Sequence, residues 1–253
     1  MEITKLITES IQKKQPISFC KYGDGEFNCA NSYTGGNCDN DLYTEKKKAG
    51  LIQSFAYMVD NLPNSYMGIW HDTKQALFWE GFVKNPVKWA KYHTIIMDDD
   101  SIHEKVEMYK AIQQSNLKKI YICNPLLVKA KILFNIDYMV HVPFNNWFDN
   151  HFDELMGHLK NIIQPNEQYI ILTSAGMGAK IVISELSKLY PNNIYLDFGS
   201  AIDKICTKKT SRGWEPSYEK FMELLKDIIP SEWNDPAYNE IYTAANYKLG
   251  IHL

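Results

Sequence analysis

Apolar residues return at helical spacing along 2–14, and the pattern then changes to the short apolar run ISFCK at 17–21. The first pattern predicts an amphipathic helix and the second a buried strand. Residues 22–41 are rich in Gly, Asn, Asp and Ser, a composition that predicts a loop. A helix is expected over 42–61. Further strands are predicted at 66–70, 94–97, 120–123, 138–142, 169–173 and 194–197. Helical patterns at 103–115, 150–163 and 179–190 lie between strands, and a last one at 216–228 leads into a tail bearing Trp and Tyr. Strands separated by helix-length segments predict right-handed βαβ units. The expected fold is therefore α/β: a single Rossmann-like domain over 1–253, with a mostly parallel sheet flanked by helices. In open sheets of this kind ligands bind beyond the C-terminal strand ends. That rule directs attention to 21–26, 174–180 and 197–212.

Composition narrows the class. The 253 residues are 45% hydrophobic and 23% charged, with a formal net charge of −3, which excludes disorder as the main state. A pI near 6.2 excludes a nucleic-acid binder driven by bulk charge. No apolar run approaches the roughly 20 residues that span a bilayer. The opening MEITKLITESIQKKQ has no apolar centre and no small-residue cleavage site, so neither a signal peptide nor a transmembrane segment is expected. The compartment implied is the cytoplasm. Cys20, Cys29, Cys38, Cys123 and Cys206 form no CxxC pair and are expected as free, mostly buried thiols. Of the 27 basic residues only Arg212 is arginine. It is either a chance survivor on a surface loop or a residue needed for its bidentate grip on phosphate or carboxylate.

Three strand exits carry the candidate chemistry. In FCKYGDGEF, Gly23 and Gly25 flank Asp24 and allow a sharp turn. If the strand's extension continues, Asp24 and Glu26 project to one side. Two carboxylates with open water positions suit Mg²⁺ or Mn²⁺ beside substrate phosphates; the competing reading is an ordinary Asp/Gly turn. In the second exit, Ser174, Gly176 and Gly178 open an amphipathic helix with Lys180 in its first turn, a ready site for phosphate or carboxylate. Close helix–strand packing explains the two glycines equally, and Ile181 breaks the dinucleotide fingerprint. The third exit places Asp197, Ser200, Asp203, Lys204 and Arg212 together, a mixed set suited to sugar hydroxyls and phosphates.

Weaker candidates lie elsewhere. The 98–100 Asp triplet is a rival metal site, although Asp100 or Ser101 reads more simply as a helix cap. His71 and Asp72 follow a strand and are candidates for a general base. The aromatic stretch 144–152 reads as core packing ahead of sugar stacking. His103, His141, His151 and His158 lack the spacing for helical zinc ligation.

The KYGDGEF segment at 21–27 is similar to the R-[FY]-G-D-G-E segment of GT-D-type glycosyltransferases, and SAGMGAK and LDFGSAID resemble that family's second half. Lys21 stands where the family usually has Arg. The resemblance implies metal binding by the D-x-E pair, Mn²⁺ or Mg²⁺ as cofactor, and transfer of a sugar from a nucleoside-diphosphate sugar, UDP-linked, to a glycan or glycoconjugate. Asp24 and Glu26 would then hold the metal. Lys21, Gly23, Gly25, Ser174, Gly176, Gly178, Lys180, Asp197, Ser200, Asp203 and Arg212 would line the donor pocket. An inverting transfer would draw its base from His71 or Asp72. An acceptor on a lipid or protein carrier implies peripheral contact with that carrier. Two rivals are an S-adenosylmethionine-dependent methyltransferase, with SAGMG as its cofactor loop, and a non-catalytic nucleotide- or glycan-binding module.

Overall fold

The computed structural model describes residues 2–33, 42–70, 72–92, 95, 101–143, 146–208, 217–234 and 250–252. Its strands are β1 (Ile17–Lys21), β2 (Ser65–Ile69), β3 (Trp89–Lys91), β4 (Lys118–Cys123), β5 (Tyr138–His141), β6 (Tyr169–Ser174), β7 (Ile194–Asp197) and β8 (Gly250–His252). They form one sheet in the order β3-β2-β1-β7-β6-β4-β5-β8. Strands β1 to β7 are all parallel, and β8 runs antiparallel to β5. Every residue of β6 and β7 is buried, as expected of parallel strands covered on both faces.

The helices are α1 (Ile3–Gln12), α2 (Asp24–Ala30), α3 (Glu45–Asn61), α4 (Thr73–Glu80), α5 (Ile102–Gln114), α6 (Ala130–Phe134), α7 (Trp147–Ile162), α8 (Gly178–Leu189), α9 (Asp203–Thr207) and α10 (Tyr218–Leu225). They divide the core in two. On one face α3, α7 and α8 bury Leu51, Phe55, Leu159 and Leu186 against Cys20, Ile171 and Tyr195. On the other, α1, α5 and α10 bury Ile7, Tyr109 and Phe221 near Phe19, Leu172 and Leu196. Alternation along β6 and β7 therefore turns Thr173 and Asp197 toward the α8 face.

The α/β class and the parallel sheet agree with the sequence reading, and six of its seven strands lie within two residues of the expected places. The third strand is Trp89–Lys91 instead of 94–97, of which only residue 95 is described. Three further differences matter. The predicted loop at 22–41 opens with α2, an additional helix α4 follows β2, and the tail returns as β8 to pair with β5 of its own chain. Cys20, Cys29, Cys123 and Cys206 are free and buried, and Cys38 lies outside the described residues. Among the described residues no helix is long and apolar enough to cross a membrane.

Candidate functional site

Strand β1 stops at Lys21, and the chain turns into α2 through Gly23, whose backbone is extended. Glu26, the third residue of the helix, reaches back so that its Oε2 accepts the Gly23 N–H at 2.9 Å. This is the reciprocal half of a capping box, and acidic residues in a first turn also suit the helix dipole. The local geometry overturns the expected common face for Asp24 and Glu26. Two positions along a helix turn the chain by about 200°. Asp24 is exposed, whereas Glu26 is buried.

Glu26 points instead at the second strand exit. Its Oε1 lies 2.7 Å from Lys180 Nζ, and the same ammonium lies 3.0 Å from Asp197 Oδ2 at the end of β7. Lys180 also donates to the Gly176 carbonyl at 3.1 Å. A lysine ammonium has three N–H donors, so these acceptors use all of them. Burial opposes the charge on Lys180, but the Asp197 and Glu26 carboxylates outweigh it and hold the pKa above its ordinary value. Asp197 Oδ2 further accepts the Lys21 backbone N–H at 3.0 Å. One buried cluster thus joins the exits of β1, β6 and β7, which the sequence had marked separately.

This arrangement corrects the role expected of Lys180. Its charge is matched within the protein, and it cannot donate to a phosphate without releasing a partner. Asp197 Oδ1, Thr173 Oγ1 and Ser200 Oγ are buried with no hydrogen-bond partner among the described residues, leaving acceptor capacity beside the cluster. Lys21 is half-buried, its ammonium 6.0 Å from the centre of the Tyr92 ring. Gly199 has a φ of +49°, and a Cβ there would fall 1.7 Å from Lys21 Nζ, so the glycine makes room for that side chain.

The glycines of the second exit divide. Gly176 has a φ of 61°, a conformation that glycine adopts without strain. Gly178 serves packing: a Cβ would meet the Trp147 ring at 2.6 Å, and the Trp147 indole donates to the Ala175 carbonyl at 3.0 Å. Ser174 is likewise engaged away from Asp197, its Oγ 2.7 Å from the Tyr121 hydroxyl. Gly23 and Gly25 are buried at the start of α2, and Asp203 is the half-buried first residue of α9.

Asp72 is also reassigned. It caps α4, its Oδ1 accepting the Lys74 and Gln75 N–H groups at 2.8 and 3.1 Å. Asp72→Ala is expected to lower stability by about 1 kcal/mol, which a melting curve checks. His71, Arg212 and the 98–100 triplet lie outside the described residues. Trp147 and Phe148 are core residues, in line with the packing reading of the aromatic stretch. Among the described residues no group of three or more His, Cys, Asp or Glu side chains converges as a metal centre. Thr173, Gly199 and Tyr92 were not singled out from the sequence; only the glycine two residues beyond Asp197 offered a signal.

No protein-family model matches the chain, and no curated protein matches it. The fold is shared. A solved, selenomethionine-substituted structure of the domain of unknown function 1792 matches with a TM-score of 0.57. The match covers 93% of this chain and 92% of that one, at 16% identity. A likeness at that identity shows a common α/β architecture over nearly the full length.

Proposed function

We propose that this protein is a glycosyltransferase that moves a sugar from a nucleoside-diphosphate sugar to a glycan or glycoconjugate acceptor. The observation that carries the reading is the convergence of the KYGDGEF, SAGMGAK and LDFGSAID segments on the Glu26–Lys180–Asp197 cluster, at the C-terminal strand ends where open parallel sheets bind ligands. In this reading Lys180 is a positioning residue: it fixes the relative placement of three loops. Lys21 and Arg212 are assigned to the diphosphate, and Ser200 and Asp203 to donor hydroxyls, while buried Asp197 anchors Lys180 and the end of β1.

The D-x-E pair does not fit one shared ion, because Glu26 is turned into the cluster while Asp24 faces outward. Asp24 by itself fits a hydrated ion, since Mg²⁺ is commonly held by one or two carboxylates together with substrate phosphates. Asp24 would thus hold Mn²⁺ or Mg²⁺, which supplies neutralisation of the charge that develops on a departing diphosphate.

Calorimetric titration of nucleoside diphosphates, UDP first, tests the binding half of the proposal. With Mn²⁺ the wild type is expected to bind one of them at least about tenfold more tightly, some 1.4 kcal/mol, than in EDTA or after Asp24→Ala. Equal affinity under all three conditions would remove Asp24 and the metal from the site and favour a metal-independent nucleotide-binding module.

A further inference from the structure

Helix α4 is apolar on opposite sides. Trp79 is fully buried, whereas Leu77, two positions earlier and so about 200° around the helix, is 64% exposed. Phe82 just beyond the helix and Trp70 just before it are each 39% exposed. Phe78 joins the strip to Phe82 with ring centroids 5.1 Å apart, and its other side meets Phe27, the residue after Glu26, also at 5.1 Å. A helix packed on one side normally turns polar residues outward. Here Phe82, Phe78 and Phe27 form a strip of ring contacts from the surface of α4 to α2, and Leu77 within the helix and Trp70 before it add exposed apolar area.

The charge around the strip is net positive, although the Asp60 carboxylate accepts the Lys84 backbone N–H at 3.0 Å. Residues 72–91 hold four lysines and two acids, against a chain total of −3. Both acids are engaged: Asp72 caps α4, and Glu80 accepts the Trp89 indole N–H at 2.7 Å. Lys74 and Lys84 are exposed, and Lys74 shares the helix face of Leu77 and Phe78 by its i, i+3 and i, i+4 spacing. Exposed Trp, Leu and Phe ringed by lysine is the pattern of an interfacial element that sinks apolar tips between headgroups while its ammonium groups meet anionic lipid.

We propose that Trp70, Leu77 and Phe82, with Lys74 and Lys84, form a face that docks on an anionic lipid surface. Docking there brings α2, through the Phe27–Phe78 contact, close to the bilayer. The proposal does not depend on sugar transfer, because vesicle binding needs no donor.

The test is co-sedimentation of the full chain with vesicles of phosphatidylcholine alone or with phosphatidylglycerol added. The wild type is expected to pellet with the anionic vesicles and to be released by salt. Leu77→Glu, at an exposed site that leaves the core intact, should abolish pelleting. Lys74→Ala with Lys84→Ala should weaken it about fivefold per lysine. No pelleting by the wild type, or equal pelleting with both vesicle types, would overturn the proposal. So would sedimentation velocity showing that the same face joins two copies of the chain, with Leu77→Glu making the protein monomeric.

Discussion

Lys180→Met is expected to lower the unfolding free energy by about 3–5 kcal/mol, because it leaves buried carboxylates without their counter-charge. The Lys180 side chain is 4% exposed, those of Glu26 and Asp197 are 11% and 0% exposed, and the substitution removes both ion pairs at once. For a chain of this length that loss corresponds to roughly 6–20 °C in melting temperature. Adding Glu26→Gln and Asp197→Asn to the same variant should recover much of it, since the destabilisation lies in stranded charge and not in lost packing. Urea midpoints of the single and triple variants check this. A single-variant loss below about 1 kcal/mol would mean that the cluster is solvated and holds nothing in place. The pH dependence has a definite sign. Lys180 has a folded-state pKa raised above its ordinary value. Its contribution is fully present below about pH 10.4 and is lost as pH rises through the folded-state value. Wild-type stability should thus show no decline from this group between neutral pH and 9.

Gly178→Ala carries the second large effect. Helix propensity alone predicts a gain of up to about 1 kcal/mol. The new methyl would nevertheless lie 2.6 Å from the Trp147 ring and 3.1 Å from Phe148 Cβ, both in a packed core. Overpacking of that kind costs about 1–3 kcal/mol, so a net loss is expected. Trp147→Leu in the same chain should offset part of the loss, because the two substitutions share one contact. A ligand-binding role for Gly178 predicts the reverse: stability unchanged or improved, with nucleotide affinity reduced. Thermal melts and the calorimetric titration separate the two.

The βαβ frame was legible because parallel strands buried on both faces read as short apolar runs, and the intervening helices keep their own period. YIILTS followed by the amphipathic run to Leu189 shows this most clearly, and strand and helix lie within a residue of the reading. Helix α2 was hidden because Gly25, Asp24 and Asn28 are poor helix formers, so composition alone predicts a loop. Its one local signal was Glu26 three residues after Gly23, the spacing of a capping box without the usual hydroxyl cap. Strand β3 was displaced because three residues give too short an alternation to register.

At the site, the three exits could be named from the sheet rule, but the use of each group could not. That Lys180 has all its donors taken, that Glu26 turns inward and Asp24 outward, and that Gly178 makes room for Trp147 are facts of tertiary contact between distant segments. Sequence supplies the charges at each exit; only their convergence shows which are balanced inside and which face a ligand. Asp72 illustrates the same division, since a carboxylate after a strand reads alike as a base or as a cap until its amide partners are known.

The most direct test of sugar transfer is donor hydrolysis over a panel of nucleotide sugars with Mn²⁺, Mg²⁺ or EDTA, scored together with nucleotide binding. The assay takes water as the acceptor, so the glycan acceptor need not be known. The account predicts release of one nucleoside diphosphate from one donor, dependent on metal and lost in Asp24→Ala. Absence of both turnover and nucleotide binding with every donor would contradict it.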